Sequence, residues 1–244
     1  MTDSQDLAGK VVLVTGASRG IGYQAAKEAG RRGAHVIVVA RTVGGLEEVD
    51  DEIQAAGGST TIVPLDLRDF EGIDRLGAAV FERWGRLDGL IGNAGMLGTL
   101  SPLAHLAPDE FEKVFAVNVT ANFRLIRSFD LPLRKAEAGR AVFVSSGAAQ
   151  SARPYWSLYA ATKAALEALV KSYAGEMAAG TVRANAFNPG PVRTAMRAKA
   201  MPGEDPATLP DPAAVAPRLV DMVSPSYDRS GLRYDFATEQ TQAL

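Results

Sequence analysis

Cysteine is absent from the 244 residues. Its absence removes disulfides, thiolate catalysis and cysteine-bearing metal sites together, and it suits a reducing compartment, so a cytoplasmic protein is expected. Histidine is nearly as scarce. Only His35 and His105 occur, neither beside a partner at metal-ligand spacing, which speaks against a zinc site or a Ser-His-Asp triad. No apolar run approaches the ~20 residues that a membrane span needs. Met1 to Ala8 is polar and acidic, without the apolar region of a signal peptide. An excess of either charge is missing too: 26 basic and 28 acidic residues give a net charge of −2, which leaves no basic field for nucleic acid. What remains is 47% hydrophobic residues, enough for one α/β domain spanning residues 1–244.

Lys10 to Thr15 (KVVLVT) is a continuous apolar strand, followed at once by Gly16-Ala17-Ser18-Arg19-Gly20-Ile21-Gly22 and a helix through Arg32. Strand, tight glycine turn and helix start together form a pyrophosphate cradle, because backbone N–H groups and the helix dipole point at the anion. An ordinary β–α turn with spare glycines is the competing reading, and the strand before and helix after it favour dinucleotide binding. The second strand, His35 to Ala40, ends in Ala40-Arg41-Thr42 with no carboxylate. An acidic residue there would grip a ribose 2′-hydroxyl, whereas arginine accommodates a 2′-phosphate. Arg41 and Arg19 therefore favour NADP(H), with NAD(H) left open.

Further strands are expected at Ser59 to Leu65, Leu87 to Gly92, Arg140 to Ser146, Thr181 to Phe187 and Gly231 to Phe236. Between them lie helices from Glu47 to Ala56, from a cap at Asp69 to Trp84, from Pro108 to about Glu137, from Trp156 to Ala179, and from Asp211 to Met222. Pro132 is expected to kink or end the long third helix. Asn118, between Val117 and Val119, is a polar residue on a buried face, so it bonds locally to backbone or holds a water. Ala195 to Pro210 has no clean period and reads as a mobile lid. Seven strands alternating with helices predict a doubly wound, Rossmann-type parallel sheet with helices on both faces.

Val142 to Val144 leads into Ser145-Ser146, and thirteen residues after Ser146 comes Tyr159, with Lys163 one helical turn further on. Residues four apart on a helix share a face. A phenol with a pKa near ~10 is too weak a base at neutral pH. An ammonium about 5 Å away, at an effective dielectric of ~20, favours phenolate by roughly 3 kcal/mol, or about 2 pKa units. The pair can then exchange a proton with an alcohol or carbonyl oxygen that the serine hydroxyl holds. On this stretch alone, an alanine-rich core helix carrying a surface Tyr and Lys is the competing reading.

The chain resembles the short-chain dehydrogenases/reductases, from Gly9 to about Phe236. The matching segments are TGASRGIG (Thr15 to Gly22), NAG (Asn93 to Gly95), NVT (Asn118 to Thr120), VSS (Val144 to Ser146), YAATK (Tyr159 to Lys163) and NPGPVRT (Asn188 to Thr194). The resemblance implies a sheet of order 3-2-1-4-5-6-7 and a tetrad of Asn118, Ser146, Tyr159 and Lys163. In it Tyr159 is the acid/base and Ser146 polarises the carbonyl. Lys163 lowers the tyrosine pKa and binds the nicotinamide ribose, and Asn118 positions a water of a proton relay. It further implies that Gly16, Ser18, Arg19, Gly20 and Ile21 lie along the cofactor phosphates, Asp66 and Leu67 near adenine, and Asn93, Ala94 and Gly95 near the adenosine ribose. Pro189, Gly190, Val192 and Thr194 would shape the nicotinamide pocket.

Two departures stand out. Gly92 occupies a position where the family often has a second Asn, and the C-terminal tail lacks the Asp-Gly-Gly ending frequent there.

The expected function is an NADP(H)-dependent oxidoreductase moving hydride between nicotinamide and a carbonyl or secondary alcohol. Met96, Leu97, Ala148, Tyr155, Trp156 and Met196 would form an apolar substrate pocket. A 3-oxoacyl thioester reductase and an NAD-dependent alcohol dehydrogenase stay open within that class. A catalytically idle dinucleotide sensor or scaffold is the reading from another class; such relatives typically lose the Tyr or the Lys, and both are present here. Neither a nucleic-acid nor a membrane partner is expected. A homodimer or homotetramer through helices 108–137 and 156–179 is implied by the resemblance.

Overall fold

The computed structural model describes residues 5–244. Met1 to Ser4, part of the N-terminal segment read above as polar, lie outside the described residues. The chain alternates strands and helices: β1 (Val11–Thr15), α1 (Gly20–Arg31), β2 (His35–Ala40), α2 (Val43–Ala55), β3 (Ser59–Pro64), α3 (Phe70–Trp84), β4 (Gly89–Gly92), α4 (Pro108–Phe115), α5 (Ala121–Lys135), β5 (Arg140–Val144), α6 (Ala148–Ser151), α7 (Ser157–Glu176), β6 (Arg183–Asn188), α8 (Ala195–Ala200), α9 (Pro212–Asp221), β7 (Leu232–Asp235) and β8 (Gln240–Ala243).

The sheet order is β3-β2-β1-β4-β5-β6-β7-β8. The first seven strands are parallel, as expected. The eighth corrects the seven-strand expectation: β8 runs antiparallel to β7, with Leu232 opposite Ala243 and Asp235 opposite Gln240. A tight turn at 236–239, with Glu239 at φ 54°, reverses the chain. The polar sequence QTQA carries no apolar signal, because an edge strand needs none.

Both sheet faces are covered, so the central strands are buried at every position. Along β1, Val12 and Val14 face the helices α1, α2 and α9, while Val11 and Leu13 face α3, α5 and α7. The same alternation recurs in β2 and β5: Val36 and Val142 lie in the first core, Ile37 and Phe143 in the second. Asp69 accepts a hydrogen bond from the Gly72 N–H and caps α3 as expected.

The expected single helix over 108–137 is instead α4 and α5 joined by one widened π-type turn, Ala116–Thr120. Asn118 sits in that turn. Pro132 does not break α5, which runs three residues beyond it with the ring buried and with the Pro132 carbonyl accepting from the Leu87 N–H at 3.0 Å. Residues 195–210 contain α8 and a one-turn 3-10 segment, Pro206–Thr208. Arg197 holds them together with two hydrogen bonds of 2.6 Å to Glu204. Among the described residues no helix is long and apolar enough to cross a membrane.

Candidate active site

β1 and β4 are neighbours in a sheet whose strand order reverses between them. The crevice at their carboxyl ends is where ligands settle in open α/β sheets. Gly16 stands there at φ +67°, a backbone conformation that costs a glycine nothing. Gly22 lets the first turn of α1 approach closely: a Cβ on it would lie 2.3 Å from both Asn93 Nδ2 and the Gly16 carbonyl oxygen. The first N–H groups of α1 have no intrahelical acceptor, and Arg19 in the cap position makes no side-chain capping bond. An anion-binding helix start is thus left open toward the crevice.

Asn93 explains how this turn is held. Its Nδ2 donates to the carbonyls of Thr15 (2.9 Å) and Gly16 (3.3 Å), while the Thr15 hydroxyl accepts from the N–H groups of Asn93 (3.0 Å) and Ala94 (3.1 Å). The Asn93 amide therefore fixes the glycine turn to the end of β4. Gly92 is explained by the second core. A Cβ there would stand 2.4 Å from Cδ1 of Phe143 and 2.9 Å from Oδ1 of Asn122, so those two side chains occupy the space of the asparagine frequent in the family.

At the end of β2, Arg41 is exposed, as is Arg19. Among the described residues neither guanidinium makes a hydrogen bond or a close ion pair, and Arg41 acts on Asp66 only at a distance. Asp66 is engaged by Arg68, with Nη2 at 2.6 Å, and with Arg41 nearby its carboxyl is held below the usual range, chiefly through the Arg68 hydrogen bond. Leu67 beside it is buried. Two free cations and a satisfied carboxylate thus border the open helix start, which suits an extra phosphate on a dinucleotide.

Tyr159 and Lys163 both lie buried on α7. Lys163 Nζ donates to the Val144 carbonyl at 2.7 Å, at the end of β5, and stands 5.6 Å from the centre of the Tyr159 ring. Burial pushes the Tyr159 phenol up to about 12, against a hydrogen bond from Ser146 that lowers it. Burial pushes Lys163 down to about 8, against the Glu167 carboxylate that raises it. Burial therefore dominates the phenol, while the Lys163 proton is directed at a backbone oxygen.

Asn118 is fully buried. Its Oδ1 accepts from the Met96 N–H at 2.7 Å, and its Nδ2 donates to the Met96 carbonyl (2.8 Å) and to Thr162 Oγ1 (3.0 Å). The side chain is thus engaged by the backbone of Met96 in the turn after β4 and by Thr162 of α7, not by backbone of its own helix. Its own carbonyl accepts from Asn122 Nδ2 at 2.8 Å. A Cβ placed on Gly95 would lie 3.4 Å from Asn118 Oδ1 and 3.6 Å from Lys163 Nζ. The NAG turn, the widened helical turn and α7 therefore meet at one point.

The other wall comes from the loops after β5 and β6. Asn188 Oδ1 accepts from the N–H groups of Gly147 and Gly190, each at 3.1 Å, and its Nδ2 donates to Asp235 at 2.8 Å. One side chain thereby ties three strand ends together. Gly190 takes φ +68°, Val192 is buried, and Thr194 caps α8 and stands opposite Gly20 across the crevice. Around Tyr159 an apolar cluster forms from Leu97, Ala148 and Ala160, with Leu100, Trp156 and Ala200 packed against it. Tyr155 is 60% exposed at φ 72°, and Met196 is 37% exposed. Next to this wall, Thr194, Arg197, Met201 and Leu209 line a cavity of about 420 Å³. Thr15, Thr162 and Asn188 support the site and were not in the sequence-based set. Thr162 was within reach, being adjacent to Lys163 and three residues from Tyr159 on the same helix.

Residues 10–205 match the family model of the short chain dehydrogenases. The chain is 37% identical over 236 residues to the oxidoreductase YciK of Escherichia coli K12, covering 95% of this chain and 93% of that one. Among solved structures, a short chain dehydrogenase from Salmonella enterica serovar Typhi CT18 superposes with a TM-score of 0.92 at 34% identity, over 97% of this chain and 99% of that chain. A chain from Escherichia coli CFT073, complexed with NADPH, superposes with a TM-score of 0.89 at 37% identity, over 96% and 99% of the two chains. The chain is an oxidoreductase that belongs to the short-chain dehydrogenase/reductase family.

Proposed function

We propose that this protein is an NADP(H)-dependent oxidoreductase that reduces a carbonyl or oxidises a secondary alcohol, with Tyr159 as the acid/base. The observation that carries the reading is the grouping of the Tyr159 phenol with the Ser146 hydroxyl, which hydrogen-bonds to it, and the Lys163 ammonium 5.6 Å from its ring centre. A bound nicotinamide supplies or accepts the hydride.

The chain's own groups do the rest. Ser146 donates to the substrate oxygen and holds it against Tyr159. The phenol, protonated at neutral pH, gives its proton to that oxygen during reduction. Lys163, already close to titration near pH 8, then stabilises the phenolate and binds the nicotinamide ribose, with reprotonation through a water held near Asn118. Gly16, Ser18, Arg19, Gly20 and Ile21 bind the phosphates, Asp66 and Leu67 border the adenine, and Asn93, Ala94 and Gly95 lie near the adenosine ribose. Pro189, Gly190, Val192 and Thr194 flank the nicotinamide.

The preference for NADP(H) rests on the unpaired Arg19 and Arg41 and on the NADPH complex of a 37% identical relative. Assembly as a homodimer or homotetramer through α4, α5 and α7 is supported by Phe111, Phe123 and Leu131, which expose 39%, 46% and 51% of their surface.

Steady-state reduction of a panel of diketones and aldehydes with NADPH tests the reading. Turnover by the wild type, with loss of kcat by about 10²-fold or more in Tyr159→Phe and intact NADPH binding, is the expected result. Equal inactivity of the two proteins with tight NADPH binding would instead point to a sensor.

A further inference from the structure

Glu167 is a second carboxylate beside the candidate site, and nothing in the proton transfers above uses it. It follows Lys163 by four residues on α7, and its side chain is only 12% exposed. Its Oε1 accepts from Ser145 Oγ at 2.6 Å, and its Oε2 accepts from Gln150 Nε2, also at 2.6 Å. Ser145 is the first residue after β5, and Gln150 lies in α6. The carboxylate therefore grips both sides of the short segment that carries Ser146. Behind it stands Arg233 of β7, 9% exposed, with Nη1 3.7 Å from Oε1 and Nη2 donating to Gln242 of β8 at 3.2 Å.

Two features set this arrangement apart from a chance surface contact. Hydrogen bonds to a charged acceptor are about twice as strong as neutral ones and fix geometry accordingly. A carboxylate so far removed from water also needs compensation, and Arg233 supplies it from β7, the strand whose Asp235 also anchors Asn188. Ser146 Oγ itself accepts from the Ala148 N–H at 3.2 Å, so a shift of the 145–150 segment moves the hydroxyl directly.

We propose that Glu167 is a positioning residue for the reaction: it clamps Ser145 and Gln150 so that the Ser146 hydroxyl meets the Tyr159 phenol, and Arg233 holds the clamp in place. The proposal rests on the functional reading above. The charged and titratable groups around Lys163 are Tyr159 and Glu167 on its own helix and, beyond Glu167, Arg233 from β7. β5 presents the Val144 carbonyl, and the turn after β4 presents Gly95. Without the Glu167 anion the Lys163 ammonium is lost at lower pH.

The test compares wild type with Glu167→Gln, using NADPH and the best ketone of the panel. The expected result is a kcat roughly tenfold lower with both KM values within about twofold, and a basic limb of the pH profile displaced downward by about half a unit or more. A kcat within about twofold of wild type, with the basic limb unmoved, overturns the proposal. If Glu167→Gln does not fold, Gln150→Ala carries the comparison, because it leaves the carboxylate in place and removes one donor. A kcat roughly two- to fivefold lower at unchanged KM supports the clamp, and an unchanged kcat overturns it. Should the wild type bind NADPH and turn over nothing, the functional reading has failed, and a crystal structure of Glu167→Gln, or of Gln150→Ala if the former does not fold, still decides. Ser146 Oγ displaced from Tyr159 supports the clamp, and Ser146 in its wild-type position rules it out.

Discussion

Lys163 spends its shortest hydrogen bond, 2.7 Å, on the carbonyl of Val144 and not on Tyr159. The cation is thereby held at the end of β5, inside the protein, with a single backbone oxygen in place of water. Its proton affinity falls and that of the neighbouring phenol rises, both because burial disfavours charge.

Stability should follow this burial. The folded protein holds Lys163 near 8 against an ordinary 10.5, so between those values the unfolded chain binds more protons and stability rises with pH. Tyr159, raised from 10 to about 12, works oppositely and only at higher pH: its contribution is full below 10 and is lost as pH climbs to 12. Lys163→Met should therefore be more stable than wild type at pH 7.5 by about 1–3 kcal/mol, with the gap closing mostly by pH 10. Urea unfolding of both proteins at the two pH values measures this. Parallel pH dependences would contradict it.

Asn118→Leu should cost on the order of 1–3 kcal/mol, because it leaves the partly buried N–H and carbonyl of Met96 without their partner. The same experiment separates support from chemistry. NADPH affinity in the folded fraction, read by fluorescence titration, should fall together with stability, since Met96 adjoins the NAG turn. Stability within about 0.5 kcal/mol of wild type would show that Met96 finds other partners.

Placing the asparagine frequent in the family at position 92 should harm this chain. Gly92→Asn forces a side chain into Phe143 and should lower stability by about 1–3 kcal/mol. Combining it with Phe143→Val should cost less than the sum of the single changes. A double-mutant cycle in denaturant is the measurement, and strict additivity would mean the two positions do not share space.

Cofactor choice should turn on the end of β2. Arg41→Asp should weaken NADPH by about tenfold or more and shift the NADPH/NADH ratio of kcat/KM toward NADH. An unchanged ratio would leave Arg41 as a solvated residue.

Much of this architecture is legible in the sequence because the central strands are buried on both faces. VVLVT and HVIVVA read as strands without ambiguity, and the glycine turn between β1 and α1 declares itself by its setting. The misses share a cause: they occur where local pattern is silent and tertiary contacts decide. The widened turn at Ala116–Thr120 contains neither Gly nor Pro, and only the bonds of Asn118 to Met96 and Thr162 reveal what shapes it. Pro132 signals a break that burial overrides. Asn93 belongs to a recognisable motif, yet its role in bracing the glycine turn depends on the alignment of β1 with β4. Glu167 was visible as a lone acid between Leu166 and Ala168, but its partners come from two other parts of the chain, Ser145 and Gln150 after β5 and Arg233 of β7.

The final hairpin also changes what the molecule shows to its surroundings. Had the chain stopped after β7, the sheet would present an unsatisfied row of backbone donors and acceptors beside Tyr234. Instead β8 pairs with that row and becomes the sheet border itself, a short polar strand whose Gln242 bonds back to Arg233. A neighbouring copy arriving at this border meets the free backbone groups of a four-residue polar strand, so what it could pair with is short and flanked by glutamines.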